Sequence, residues 1–128
     1  MTIRKIAVVT LLASAIGVAA YAQSPATNRD QLLNTGNCAA CNLQGVDLSG
    51  TDLRNANLYK ANLRGANLSN TNLGGANLFG ALLEDSNLSG ANLSLANLQS
   101  ATVFQPALQS AITNSSTICP DGTAGPCK

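Results

Sequence analysis

Histidine is missing from this chain altogether, and so is tryptophan; methionine occurs once, tyrosine and phenylalanine twice each. Without histidine the usual serine-histidine-aspartate arrangement cannot be assembled. Charge is also scarce, at 10% of residues. Beyond residue 22, five basic side chains (Arg29, Arg54, Lys60, Arg64, Lys128) face six acidic ones (Asp30, Asp47, Asp52, Glu84, Asp85, Asp121), a net charge of −1. That balance gives no electrostatic hold on DNA, RNA or an anionic membrane. Glu84 and Asp85 are the one adjacent pair of carboxylates, and no glycine-rich phosphate loop stands out. An enzyme is not expected, and neither is a metal or a cofactor.

What the chain does have is a five-residue unit repeated thirteen times from Cys41 to Gln105. Its central place holds Leu43, Leu48, Leu53, Leu58, Leu63, Leu68, Leu73, Leu78, Leu83, Leu88, Leu93 and Leu98, then Val103. Two places earlier stands a small or β-branched residue, most often alanine, with Cys41, Val46, Thr51, Thr71 and Ser86 as variants. On an α-helix, five residues advance about 500°, so no leucine stripe forms. On a flat strand, an odd repeat throws successive leucines to opposite faces. Only a chain that turns a corner in every unit keeps both apolar places inside. Gly45, Gly50, Asn55, Gly65, Asn70, Gly75, Gly80, Gly90 and Ser100 supply that corner, with Lys60, Asp85, Leu95 and Gln105 as exceptions. A fixed period of this kind marks a solenoid, in which stacking closes a core that no unit closes alone.

These residues resemble the pentapeptide-repeat family, whose consensus is A(D/N)LXX, strongly over residues 41–105 and weakly over 106–120. The resemblance implies an all-β fold, a right-handed quadrilateral β-helix with four repeats per coil. In composition and style the chain is similar to exported members from cyanobacteria and the thylakoid lumen of plants. The family is functionally diverse, so the resemblance implies an architecture and no activity. Outward residues twenty apart then stand above one another, Tyr59 beneath Phe79 and Arg64 beneath Glu84.

The ends read differently. Arg4 and Lys5 precede an apolar run from Ile6 to Ala20, and Ala20-Tyr21-Ala22 has small residues where a signal peptidase reads. Residues 1–22 are expected to be a signal peptide cut before Gln23, and the run is short for an uncleaved anchor. Residues 23–40 read as a polar linker and an N-terminal cap: a short helix starting at Asn28 as N-cap, with Asp30 in its first turn, Gly36 as its stop, and Leu32 and Leu33 covering the open coil. Residues 106–128 read as a degenerate last coil, with the five-residue register kept at Leu108 and Ile118, and an irregular tail. Four cysteines in an exported chain suggest two disulfides, with three pairings possible. Register places Cys38 and Cys41 inward in the first coil, while Cys119 and Cys127 flank a turn-rich segment. The favoured pairing is Cys38–Cys41 and Cys119–Cys127, each closing one end.

Two surface features invite a functional reading. The asparagine run (Asn57, Asn62, Asn67, Asn72, Asn77, Asn87, Asn92, Asn97) offers a lattice for ice or a polymer; the plainer alternative has the amides satisfying backbone groups and each other. Tyr59 and Phe79, with Lys60 nearby and Leu82 and Leu95 as apolar extensions, form the candidate partner patch, because solvent-facing aromatics favour interfaces. The expected function is a non-catalytic structural or protein-binding module in the periplasm or thylakoid lumen. It would meet an unspecified protein partner, bind no nucleic acid, keep no stable membrane association after signal cleavage, and exist as a monomer or weak dimer. The alternatives are a DNA-mimicking inhibitor of an enzyme such as gyrase, or a thiol-disulfide role for Cys38 and Cys41.

Overall fold

The computed structural model describes residues 24–127; the expected signal and its cut before Gln23 lie outside the described residues, as does Lys128. From Asn37 onward, the residue before each inward place bridges its counterpart twenty positions later in parallel. Asn37 pairs with Asn57, Asn42 with Asn62, Asp47 with Asn67 and Asp52 with Asn72, and the series continues to Leu82 with Thr102. Twenty residues are four units, so the winding is four-sided, and it starts one unit earlier than Cys41. Each bridge has the same two bonds: Leu43 N–H donates to Asn62 C=O at 2.7 Å, and Asn62 N–H to Cys41 C=O at 2.9 Å. A corner every five residues leaves room for one bridged residue per side. The β-helix is therefore a ladder of single bridges, and no longer strand forms among the described residues.

The corners explain the fifth place. The N–H of Ala56 reaches back to Leu53 C=O at 3.1 Å, and that of Ala76 to Leu73 C=O at 3.0 Å. Every fifth residue from Ala40 to Ser100 has φ between +53° and +71°. A bond from fourth residue to first, with positive φ only at the third, defines a type II turn. Ala40, Lys60, Asp85, Leu95 and Ser100 hold this conformation without glycine or asparagine, at about 1–2 kcal/mol each. Up to three coil-to-coil bonds per unit, as those donated by Asn62, Leu63 and Gly65, outweigh that local strain over the array.

We number the sides by their inward residues: first (Cys38, Leu58, Leu78, Leu98), second (Leu43, Leu63, Leu83, Val103), third (Leu48, Leu68, Leu88) and fourth (Leu53, Leu73, Leu93). The twelve leucines are 0–3% exposed and form one continuous core with the alanines two places before them. Thr71 and Ser86 take the alanine place and remain satisfied, because each hydroxyl donates to a corner carbonyl, Leu48 and Leu83 respectively.

Helix α1 (Pro25–Thr35) closes the N-terminal end. It starts earlier than the sequence suggests: the N-cap is Ser24, whose Oγ accepts from Thr27 N–H, and Pro25 opens the first turn. Asn28 and Asp30 thus sit inside the helix, and the segment read as a linker is mostly helical. Gly36 ends it with φ +68° and an N–H bond to Leu32 C=O. Leu32 is fully buried, whereas Leu33 faces away at 39% exposure and covers nothing. On three of the four sides, α1 side chains cap the bridging-place carbonyl of the first coil, which no earlier coil can meet. Gln31 Nε2 donates to Asn37 C=O at 3.0 Å, Asn28 Nδ2 to Asn42 C=O at 2.8 Å, and Arg29 Nε to Asp47 C=O at 2.7 Å.

At the other end, helix α2 (Gln105–Gln109) carries Leu108 inward on the third side. Ile112 still bridges Asn92 twenty positions back, but Ile118 bridges Asn97 at a distance of twenty-one. One extra residue in the turn around Asn114 and Thr117 shifts the register. Ile118 therefore occupies the bridging place and Cys119 the inward one, contrary to the reading of Ile118 as inward.

Candidate functional site

Tyr59 and Phe79 follow the inward leucine on the first side in successive coils. Their rings stack at 5.6 Å between centroids with planes 12° apart. Lys60, at the next corner, brings Nζ to 5.2 Å from the centre of the Tyr59 ring. Its stem fits there because Gly80 lies above it: a β-carbon at Gly80 would stand 3.2 Å from Lys60 Cγ. Leu82 follows Phe79 around that same corner. Tyr59, Lys60, Phe79 and Leu82 therefore share one edge of the solenoid, with Tyr59 38% exposed. Leu95 is the exception: it sits at the opposite corner of the first side, 61% exposed, with the asparagine ladder between it and the aromatics.

The asparagines are occupied. From Asn42 to Asn97, in every unit but that of Leu82, the Oδ1 of this residue or its aspartate equivalent accepts from the N–H two residues on. Several also bond between coils, as Asn57 to Asn37 at 3.1 Å and Asn92 to Asn72 at 3.2 Å. Their side-chain oxygens are thus committed to the fold, and the Nδ2 groups of Asn57, Asn62, Asn87 and Asn92 bridge coils, in keeping with the plainer reading of the run.

Leu82 interrupts this series, and Glu84 takes over: its carboxylate is drawn to its own backbone N–H, then to the Thr102 hydroxyl and Arg64, which together hold its pKa below the usual range. Oε1 meets Arg64 Nη2 at 3.1 Å, while the enclosed Oε2 has no well-formed hydrogen bond. Asp52 is paired side by side with Arg54, at 2.9 Å (Nε to Oδ1) and 2.7 Å (Nη2 to Oδ2), which lowers its pKa. Both pairs are exposed, so solvent screens them and they add little to stability. Among the described residues, no three histidine, cysteine or acidic side chains converge as metal ligands. Cys38 and Cys41 are joined across the first corner with Cα atoms 5.2 Å apart, and Cys119 joins Cys127 across the terminal turn at 5.5 Å.

The family model for pentapeptide repeats matches residues 37–75 and 76–103, in eight copies. That is more than half of the sequence. The chain belongs to the pentapeptide repeat family. Members of this family wind as right-handed quadrilateral β-helices and are in general structural repeat proteins rather than enzymes. Among solved pentapeptide repeat proteins, the chain is similar to HetL of the cyanobacterium Nostoc sp. strain PCC 7120, a protein involved in regulating heterocyst differentiation. Identity there is 37%, covering 69% of this chain and 42% of HetL, with a TM-score of 0.39. It is also similar to a pentapeptide repeat protein of the Arabidopsis thaliana thylakoid lumen, at 30% identity over 66% of this chain and 55% of that one, with a TM-score of 0.35. A third, alr5209 of Nostoc, is 33% identical over 74% of this chain and 87% of its own, with a TM-score of 0.28. The chain thus spans less than two thirds of HetL and of the lumen protein. No curated protein matches it significantly.

Within this pentapeptide repeat protein, sequence reasoning left the most exposed large apolar residue among the described residues out of its surface. Phe104, 67% exposed, stands above Glu84 at the C-terminal end of the second side. The signal was available, since Phe104 follows Val103 in the place that Tyr59 and Phe79 occupy after their leucines.

Proposed function

We propose that this protein is a rigid, non-catalytic pentapeptide repeat module, exported to an oxidising compartment (periplasm or thylakoid lumen), that binds a protein partner along the edge formed by Tyr59, Lys60, Phe79 and Leu82. The observation that supports the binding surface is the Tyr59–Phe79 stack, 5.6 Å apart with Lys60 against it. Elsewhere the corresponding outward places carry mainly serine, glutamine, glycine or a charged side chain. Two of the chain's few aromatic residues thus stand one coil apart, where they make an apolar ridge with a cationic tip, and such residues anchor interfaces. Export rests on the charged-then-apolar character of residues 1–22 and on two disulfides, which persist in oxidising compartments. Among the described residues, no helix is long and apolar enough to cross a membrane.

The test is affinity capture from the native extract with two baits, the unaltered protein and Tyr59→Ser/Phe79→Ser. Both substitutions lie outside the core, so both baits should fold and melt alike. A partner retained by the first and lost from the second supports the edge. Identical partners from both baits would refute it.

A further inference from the structure

The solenoid is not finished evenly at its C-terminal end. On the first side, Leu98 N–H donates to Ile118 C=O and Ser100 N–H to Pro120 C=O; on the third, Gly90 N–H meets Ser110 C=O; on the fourth, Leu93 N–H meets Ile112 C=O. The second side has no such cover. Lower down that side, Leu83 N–H donates to Thr102 C=O and Ala81 C=O accepts from Thr102 N–H. One coil higher, Val103 N–H and Ala101 C=O have no backbone partner among the described residues. Val103 is only half-buried and Phe104 is 67% exposed. A cavity of about 350 Å³ lies at this end, bounded by Gln105 and by Cys119, Pro120, Asp121, Thr123, Pro126 and Cys127 of the tail. Its volume falls in the range of small binding clefts, and two prolines and a disulfide make its far wall rigid.

We propose that the open second-side edge of Ala101 and Val103, which shares this end with the cavity, binds the free N-terminus of a polypeptide, taken up in extended form as one further unit. The ladder below dictates the pairing: the occupant's second residue donates its N–H to Ala101 C=O and accepts from Val103 N–H. Its third side chain closes the core over Val103, and its fourth lies on Phe104. Because the ladder is parallel, the occupant runs from the corner after the first side toward Gln105. That corner is where Asp121 stands, since the shifted register places Cys119 over Leu98, Pro120 over Gln99 and Asp121 over Ser100. Asp121 Oδ1 already accepts from Thr123 N–H at 2.9 Å and Thr123 Oγ1 at 2.7 Å. The carboxylate is thereby fixed, and Oδ2 is left for a cation. An α-ammonium at the start of the strand meets that charge, whereas an internal segment brings none. Main-chain pairing at a sheet edge and capture of a terminal amine are both established modes of peptide recognition. A second copy stacked end to end is disfavoured, because α1 covers three sides of the opposite end. This site is separate from the Tyr59–Phe79 edge and stands whether or not that edge binds.

The probe is the amidated peptide Ala-Asn-Leu-Phe-Gly, the chain's own sequence at residues 76–80, titrated into the disulfide-bonded protein and followed by the backbone amide NMR signals. Saturable shifts centred on Val103 and Phe104 are expected. Acetylating the peptide amine should weaken binding about tenfold, the loss of one charge-assisted contact. A peptide N-methylated at its asparagine should not bind. Asp121→Asn keeps an acceptor for Thr123, so the tail stays folded; it should weaken the free-amine peptide about tenfold and leave the acetylated one unchanged. Shifts absent to millimolar peptide, or centred away from Val103, would overturn the proposal. So would equal binding of the acetylated peptide, or movement of Val103 with protein concentration alone, the mark of a second copy in the site.

Discussion

Replacing Asn28 by alanine removes one side chain of α1 and exposes how the solenoid protects its first coil. Asn28 is 5% exposed and its Nδ2 holds Asn42 C=O at 2.8 Å. Water reaches poorly beneath the helix, so the carbonyl loses its partner without full replacement. A hydrogen bond lost with a buried group left unsatisfied costs about 1–3 kcal/mol. For a domain near this size each kcal/mol lowers Tm by roughly 4–8 °C. Arg29→Ala and Gln31→Ala break the neighbouring bonds to Asp47 and Asn37 C=O. Those bonds lie at the solvent margin, where water takes over, and each substitution should cost about 1 kcal/mol or less. Calorimetry on the three oxidised variants, with urea melts as the second measure, should therefore rank Asn28 well above the other two. Three equal losses would show that burial does not set the worth of a cap, and an Asn28→Ala protein as stable as its parent would show that its bond to Asn42 C=O contributes nothing and that α1 holds the coil through Leu32.

Further outcomes follow from the same geometry. Leu73→Ala, at a fully buried place between Leu53 and Leu93, should cost about 2–5 kcal/mol in urea unfolding, a large share of the roughly 5–15 kcal/mol that holds a domain folded. Changing Cys119 and Cys127 together to serine opens a loop with sequence separation 8 and should cost about 2.5 kcal/mol by chain entropy, read as a lower urea midpoint. The lowered pKa values of Asp47, Asp52, Glu84 and Asp121 mean that their contribution is present above the ordinary carboxylate range and lost as pH falls through the folded values. With no histidine in the chain, Tm should be flat between about pH 5 and 8 and fall below about pH 4. Asp52→Asn should shallow that fall, and an unchanged acid profile would show that the Arg54 pair does not contribute.

The winding was legible because it is written in a repeat. A leucine in every fifth place and a glycine or asparagine two places later leave few other solutions, and the pairing of Arg64 with Glu84 follows from counting twenty. Cys38 is legible for the same reason, since it falls five places before Leu43. The ends carry no such period. Ser24-Pro25 is a good helix start, but Asn28 is also a good cap, and nothing local reveals that its amide is needed by Asn42. Leu32 and Leu33 look equivalent on paper; only the direction in which α1 crosses the coil turns one in and the other out. The extra residue between Thr113 and Ile118 hides because Ile118 is apolar in either register. In the candidate surface, Tyr59, Phe79, Lys60 and Leu82 share an edge, whereas grouping Leu95 with them followed hydrophobicity alone and ignored which corner it turns.

A four-sided winding also restricts how such a protein can change length. Losing a single five-residue unit from the middle would swing everything beyond it through a quarter revolution. Phe79 would no longer stand over Tyr59, and Glu84 would leave Arg64 to face a stranger. Only insertions or deletions in whole circuits of twenty preserve the vertical neighbours, so the surface can grow taller by duplication but cannot be trimmed gradually.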